Sequence, residues 1–144
     1  MPKQKSLTKN KHSIPEAKVE WTENSSPYTL LSENLYLCDQ SKIDNRRHIF
    51  FGGNNFAERW GTEKNLSFTI GETGFGAGLN FLITAQAWLK YRGLRKTGTL
   101  NFVSTENSPL PKKDLIRILS LVPEFSELAN DLIACYPPPI SGIH

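Results

Sequence analysis

Cysteine and histidine are scarce. Cys38 and Cys135 lie far apart with no C-x-x-C spacing, and His12, His48 and His144 are equally scattered. That excludes a metal site with recognisable spacing and a disulfide framework, and a reducing cytoplasm is the expected compartment. Long apolar runs are missing too. None approaches the ~18 residues that a membrane span requires, so no membrane association is expected. Strong charge is absent as well. A net +3 over 144 residues creates no polyanion-seeking field. Apolar residues make up 38% of the chain, enough for one lean core, and the length is that of one ordinary domain.

What charge there is lies unevenly. Lys3, Lys5, Lys9 and Lys11 precede the first acid, Glu16. Residues 1–17 therefore read as a disordered basic tail, with a transient phosphate contact as the sharper alternative. No apolar run follows these lysines, so they do not read as a signal peptide. Without one, the glycosylation patterns at Asn24-Ser25-Ser26 and Asn65-Leu66-Ser67 carry no meaning.

Beyond the tail the pattern alternates. Tyr28–Leu31 and Leu35–Cys38 suggest a hairpin or two short extended pieces, and Gln40 to Arg47 a loop entering a short helix. "HIFFGGNNFAERW" sets an apolar knot against a Gly-Gly-Asn-Asn turn. Leu66 to Ile70 predicts a buried strand. Gly78 to Tyr91 predicts a helix covered on most sides and stopped at Arg92-Gly93. Thr99 to Ser104 predicts a second strand, and Lys112–Leu121 and Glu124–Ala134 predict helices divided by Pro123. Strand, glycine-rich turn, helix and strand make one βαβ unit with parallel strands, the start of a doubly wound α/β sheet.

The turn itself reads "ETGFGAGLNFL". A phosphate-binding P-loop needs G-x-x-x-x-G-K-[ST], and no Lys-Ser or Lys-Thr pair follows these glycines. A dinucleotide fingerprint starting at Gly74 needs a third glycine at position 79, which is Leu79. That weakens an NAD(P)- or FAD-binding oxidoreductase half without excluding it. The spacing present is E-x-G-x-G-x-G: Glu72, Gly74, Gly76 and Gly78. It resembles the first motif of class I S-adenosylmethionine-dependent methyltransferases. Bare backbone at a strand end allows a sharp bend, a close ligand approach and tight helix packing. Free amides and the helix's positive end favour the cofactor's carboxylate. Glu72 would accept from its ammonium, whereas a carboxylate beside a pyrophosphate would repel it. A turn that only packs helix on sheet is the bland alternative. Glu106, 28 residues after Gly78, stands beyond the second strand, where a carboxylate can accept both ribose hydroxyls or simply be a solvated loop acid.

A narrower resemblance follows from "IFFGGNN", "ETGFGAGLNFL", "VSTENSPL" and "PPPISGIH". In this order they resemble the amino-terminal methyltransferase domain of the bifunctional tRNA 5-methylaminomethyl-2-thiouridine biosynthesis proteins, over Leu35 to His144. The resemblance implies a partial Rossmann-like class I methyltransferase fold. It divides the chain into the tail, 1–17, an amino-terminal extension, 18–65, and the first part of the S-adenosylmethionine-binding domain, 66–144. It implies cofactor contacts from Glu72, Gly74, Phe75, Gly76, Gly78, Asn80 and Glu106, and a substrate-side turn at Gly52, Gly53 and Asn54, for which an ordinary loop turn is the alternative. It implies methyl transfer to the aminomethyl nitrogen of a modified wobble uridine, with tRNA as partner. FAD belongs to the family's second domain. Asn107 departs from the lysine expected after the acid. No residue here is assigned to deprotonate the amine, because the family's domain continues past the position matching His144. The sequence accordingly reads as a fragment, with an inactive remnant needing a separately encoded carboxyl-terminal portion as the rival expectation. Lys90, Arg92, Arg95 and Lys96, and then Lys112, Lys113 and Arg117, are candidate phosphate contacts or plain solubilising charge.

Overall fold

A computed structural model describes residues 12–22, 27–29, 40–62, 67–95 and 98–144. Lys3, Lys5, Lys9, Lys11, Lys96 and the second half of the expected hairpin, Leu35–Cys38, lie outside the described residues.

Two seven-residue strands form the centre. β3 (Ser67–Thr73) and β4 (Thr99–Thr105) pair in parallel, from Ser67 opposite Thr99 to Thr73 opposite Thr105. Period-two alternation decides their faces. Phe68 and Ile70 are buried on one side, while Ser67, Thr69, Gly71 and Thr73 are exposed on the other. β4 repeats the pattern, with Leu100, Phe102 and Ser104 half-buried and Asn101 and Val103 exposed. The strand expected to be buried is therefore covered on one face only, because every second side chain is polar or absent.

The connecting helix α3 (Leu79–Arg95) covers the inner face. No side chain from Leu79 to Trp88 is exposed, as its near-continuous apolar sequence predicts. It runs on through Gly93, against the expected stop. One glycine costs a helix only about 1 kcal/mol relative to alanine, too little to end it. The result is a mixed α/β unit with a parallel pair, as a partial Rossmann-like fold requires.

Two apolar clusters flank α3. One holds Ile43 of α1 (Gln40–Arg46), Ala77, Leu79, Leu82 and Ile83, with Leu115, Ile118 and Leu119 of α4 (Lys112–Leu119) and Ala129 of α5 (Ser126–Cys135). The other is aromatic: Phe56 and Trp60 of α2 (Phe56–Thr62) meet Phe68, Ile70 and Trp88. Trp60 sits edge-on to Trp88 with ring centroids 5.0 Å apart. The segments on either side of residue 65 thus share both clusters.

The amino-terminal side differs from expectation over its described part. β1 (Val19–Trp21) pairs antiparallel with β2 (Pro27–Thr29). Residues 12–17, assigned to the disordered tail, instead lie along the carboxyl-terminal prolines. The Ile14 amide donates to Pro139 O at 2.9 Å, the Ala17 amide to Pro109 O at 2.9 Å, and the Ser141 amide to His12 O at 2.7 Å. Ala17 is buried. An isolated bridge between Ser13 and Ile140 and these backbone bonds hold a segment that its own composition does not mark. Arg117, a candidate phosphate contact, lies over the Trp21 ring at 3.6 Å and so ties this hairpin to α4.

Candidate functional site

The site grows from the turn between β3 and α3. Gly74, Gly76 and Gly78 have φ of 81°, 56° and 74°, values that residues carrying a Cβ rarely adopt. The Gly74 amide donates across the strands to Thr105 O at 2.8 Å, and the Gly78 amide donates back to Phe75 O at 2.9 Å. The glycines differ in surroundings. A Cβ on Gly78 would sit 2.8 Å from Phe75 Cζ and 3.0 Å from Leu132 Cδ2, so this position serves packing. A Cβ on Gly74 would meet nothing within 4 Å. Gly74 borders an open cleft of about 430 Å³, lined also by Thr73, Thr105, Glu106 and Asn107 at the carboxyl ends of both strands. That is where open α/β sheets bind ligands.

Both predicted carboxylates join this turn. Glu106 is half-buried. Its Oε2 accepts from the Gly76 amide and its Oε1 from the Ser108 amide, each at 2.9 Å. The solvated-acid alternative therefore falls. Glu72, one residue before Thr73, does not line this cleft and meets α3 instead, on the sheet face that Phe68 and Ile70 share. Asn80 Nδ2 donates to its Oε1 at 2.7 Å and Ser104 Oγ to its Oε2 at 2.9 Å. A carboxylate offers about four acceptor positions, so room remains for further donors. Burial pushes the Glu72 carboxyl above its ordinary range. The two hydrogen bonds and the charge of Arg46 offset this in part, and Glu106 adds to the rise. Glu72 has no ion pair among the described residues.

Asn80 is oriented by Glu72, and this leaves its Oδ1 buried with no hydrogen-bond partner. Two acceptors, the Glu72 carboxyl and Asn80 Oδ1, thus lie at the start of α3. Phe75 packs over Gly78 and toward Phe81, ring centroids 6.4 Å apart.

Gly52, Gly53 and Asn54 are placed differently. Arg47–Gly52 is a π-helical stretch. Gly53 closes it with an amide bond to His48 O at 2.9 Å, and Asn54 Nδ2 donates to Phe50 O at 2.7 Å. A Cβ on Gly53 would lie 2.4 Å from Ile49 O. These residues terminate a helix and are not among those lining the cleft.

Sequence reasoning missed Ser104, Thr73, Thr105 and Arg46. Ser104 is legible only through the strand register, which sets it opposite Glu72. Among the described residues no cluster of three or more His, Cys, Asp or Glu could hold a metal, and no helix is long and apolar enough to cross a membrane.

A parallel βαβ unit with a left-handed glycine bend and a carboxylate at each strand end is compatible with part of a Rossmann-like fold. No family model matches the chain. Its curated relatives name the line of descent. Over 131 residues it is 37% identical to the tRNA 5-methylaminomethyl-2-thiouridine biosynthesis bifunctional protein MnmC of Legionella pneumophila, covering 89% of this chain and 19% of that protein. The protein of the same name from Vibrio vulnificus is 38% identical over 135 residues, covering 92% and 20%. That from Methylobacillus flagellatus is 40% identical over 133 residues, covering 90% and 20%. The chain is therefore a relative of these bifunctional proteins, as its motifs indicated, and spans about a fifth of their length.

Proposed function

We propose that this chain forms part of an S-adenosylmethionine-dependent methyltransferase domain acting on tRNA, methylating an aminomethyl nitrogen in 5-methylaminomethyl-2-thiouridine biosynthesis. The observation that supports this most is the half-buried Glu72 without an ion pair, beside the orphaned Asn80 Oδ1. An α-ammonium supplies a cation and several donors in one group, which answers both deficits. Glu106 at the cleft is suited to ribose hydroxyls. A pyrophosphate would instead face two carboxylates, with the Gly76 amide already engaged by one of them.

When bound, S-adenosylmethionine supplies a methyl group on a sulfonium sulfur. The chain's own residues do the holding. Glu72 and Asn80 bind the ammonium, Glu106 orients the ribose, and the open flank of Gly74 lets backbone approach the ligand. Such positioning supplies much of the rate enhancement when a neutral amine attacks in line. No residue of this chain is assigned to take the amine's proton. tRNA is the proposed substrate partner. FAD, which the resemblance gives to a second domain, has no assigned place here.

One observation favours a second reading, a portion that needs a separately encoded carboxyl-terminal partner for activity. Parallel sheets are ordinarily covered on both faces, yet the outer face here leaves Asn101 and Val103 exposed. Thermal melting separates the cofactor classes. S-adenosylmethionine at 100 times its dissociation constant should stabilise the chain by ~2.7 kcal/mol, with no shift from NAD. A shift with NAD and none with S-adenosylmethionine would reverse the assignment.

A further inference from the structure

The sequence offers two basic groups, and the fold sends them to opposite ends of the sheet. Lys90 and Arg92 are exposed near the end of α3. That helix starts at the glycine turn, and Arg92 lies about 20 Å along its axis. β4 begins seven residues later, at Thr99, so this group stands beside the amino ends of the strands, away from the cleft. Lys112 and Lys113 open α4, five and six residues after Asn107 of the cleft lining. They lie beyond the carboxyl end of β4, on the cleft side.

The strap from Glu106 to Pro111 holds them there. The Ser108 amide donates to Glu106 Oε1 at 2.9 Å. Pro109 O accepts from the Ala17 amide at 2.9 Å, and Leu110 O from the Tyr136 hydroxyl at 3.1 Å. Leu110 itself is buried. Both lysines are exposed, with no hydrogen bond or ion pair among the described residues. Glu16 shares a groove of about 340 Å³ with Lys112 and does not pair with it. Arg117, farther along α4, is already held over the Trp21 ring.

We propose that Lys112 and Lys113 make the phosphate contacts of an RNA whose reacting base lies at the cleft, and that Lys90 and Arg92 make none. This rests on the tRNA reading above and gives it a surface. Phosphate contacts fix the register and orientation of a nucleic acid. Cations can do so only if they are reachable while the base is seated and stay at a constant distance from the site. The pair on α4 meets both conditions, because its strap is pinned and begins at Glu106. The pair on α3 would require the RNA to pass along the whole length of the sheet.

Anisotropy titration of the full 144-residue chain with an anticodon stem–loop RNA, repeated between about 50 and 200 mM salt, tests this with two double variants. Lys112→Gln/Lys113→Gln and Lys90→Gln/Arg92→Gln each remove two charges from a net +3, so a general field effect is the same for both. The first should weaken binding and flatten the slope of log K against log salt by about 1.5, the value for two lost phosphate contacts. The second should behave as wild type, and Lys112→Arg/Lys113→Arg should retain the wild-type slope. Equal losses in the two Gln pairs overturn the proposal, as does an unchanged slope in the α4 pair. A wild type that binds this RNA without salt dependence, or not at all, overturns it too. The melting shift with S-adenosylmethionine, which neither pair should alter, reports separately on the cofactor reading.

Discussion

The molecule contains two glycine-rich turns that look alike in sequence and differ in what they leave unspent. At Gly52–Asn55 the hydrogen bonds are all local. The Gly53 amide meets His48 O, the Asn54 side chain meets Phe50 O, and the Asn55 amide meets Gly52 O. At Gly74–Gly78 the bend is as tightly made, yet it keeps an open flank at Gly74, a carboxylate without an ion pair and an amide oxygen without a donor. Glycine permits a backbone shape and says nothing of purpose. Unspent polar capacity in a half-buried place is what points to a ligand, because leaving it unpaired costs free energy.

The comparison can be broken most forcefully at Gly78. Gly78→Ala adds a methyl group against Phe75 and Leu132 at a positive φ, and overpacking plus left-handed strain should cost about 3 kcal/mol in denaturant unfolding. A loss below about 1 kcal/mol would mean that the turn relaxes and that its shape is not enforced.

Glu72→Gln has the opposite character. The amide side chain still offers an acceptor but removes the buried charge. Affinity for S-adenosylmethionine should fall roughly ten- to hundredfold, while the unliganded fold is unharmed. The pH dependence sharpens this. The Glu72 carboxyl is raised in the folded state, so the folded chain holds this proton more tightly than the unfolded one. Its contribution to stability is present at low pH and is lost as pH rises from the ordinary carboxylate range through the raised value. Wild type and Glu72→Gln should therefore match in acid and diverge in favour of the variant as pH rises. A constant gap across that window would remove the burial account of Glu72.

Asn54→Ala should show the smallest effect, about 1 kcal/mol of stability for one exposed side-chain hydrogen bond, with unchanged affinity for S-adenosylmethionine. In an RNA-binding measurement it should likewise behave as wild type. A selective loss of tRNA binding would return Gly52–Asn54 to the substrate side and erase the contrast between the two turns.

Much of the central unit was legible before any coordinates. Phe68 and Ile70 alternate with small polar residues, and the run from Leu79 to Trp88 has few positions that tolerate water. The three spaced glycines mark where a strand must bend into a helix. Glu72 stood out as an acid directly before three spaced glycines, and Glu106 as a second acid just beyond the next strand. What could not be read was whatever depends on elements distant in sequence. Ser104 becomes a partner of Glu72 only when the strands align in parallel. Residues 12–17 are held by backbone hydrogen bonds to Pro109, Pro139 and Ser141, far along the chain, and nothing in their own composition signals that.

By itself, then, the order of residues determined the kinds of local structure at the centre of the molecule, since backbone freedom, side-chain period and charge act over a few neighbours. Which acceptor stays unpaired and which glycine turn is open were decided by tertiary packing. Hydrogen bonds and burial are settled by whichever groups the fold brings within about 3 Å, and no local pattern records that distance.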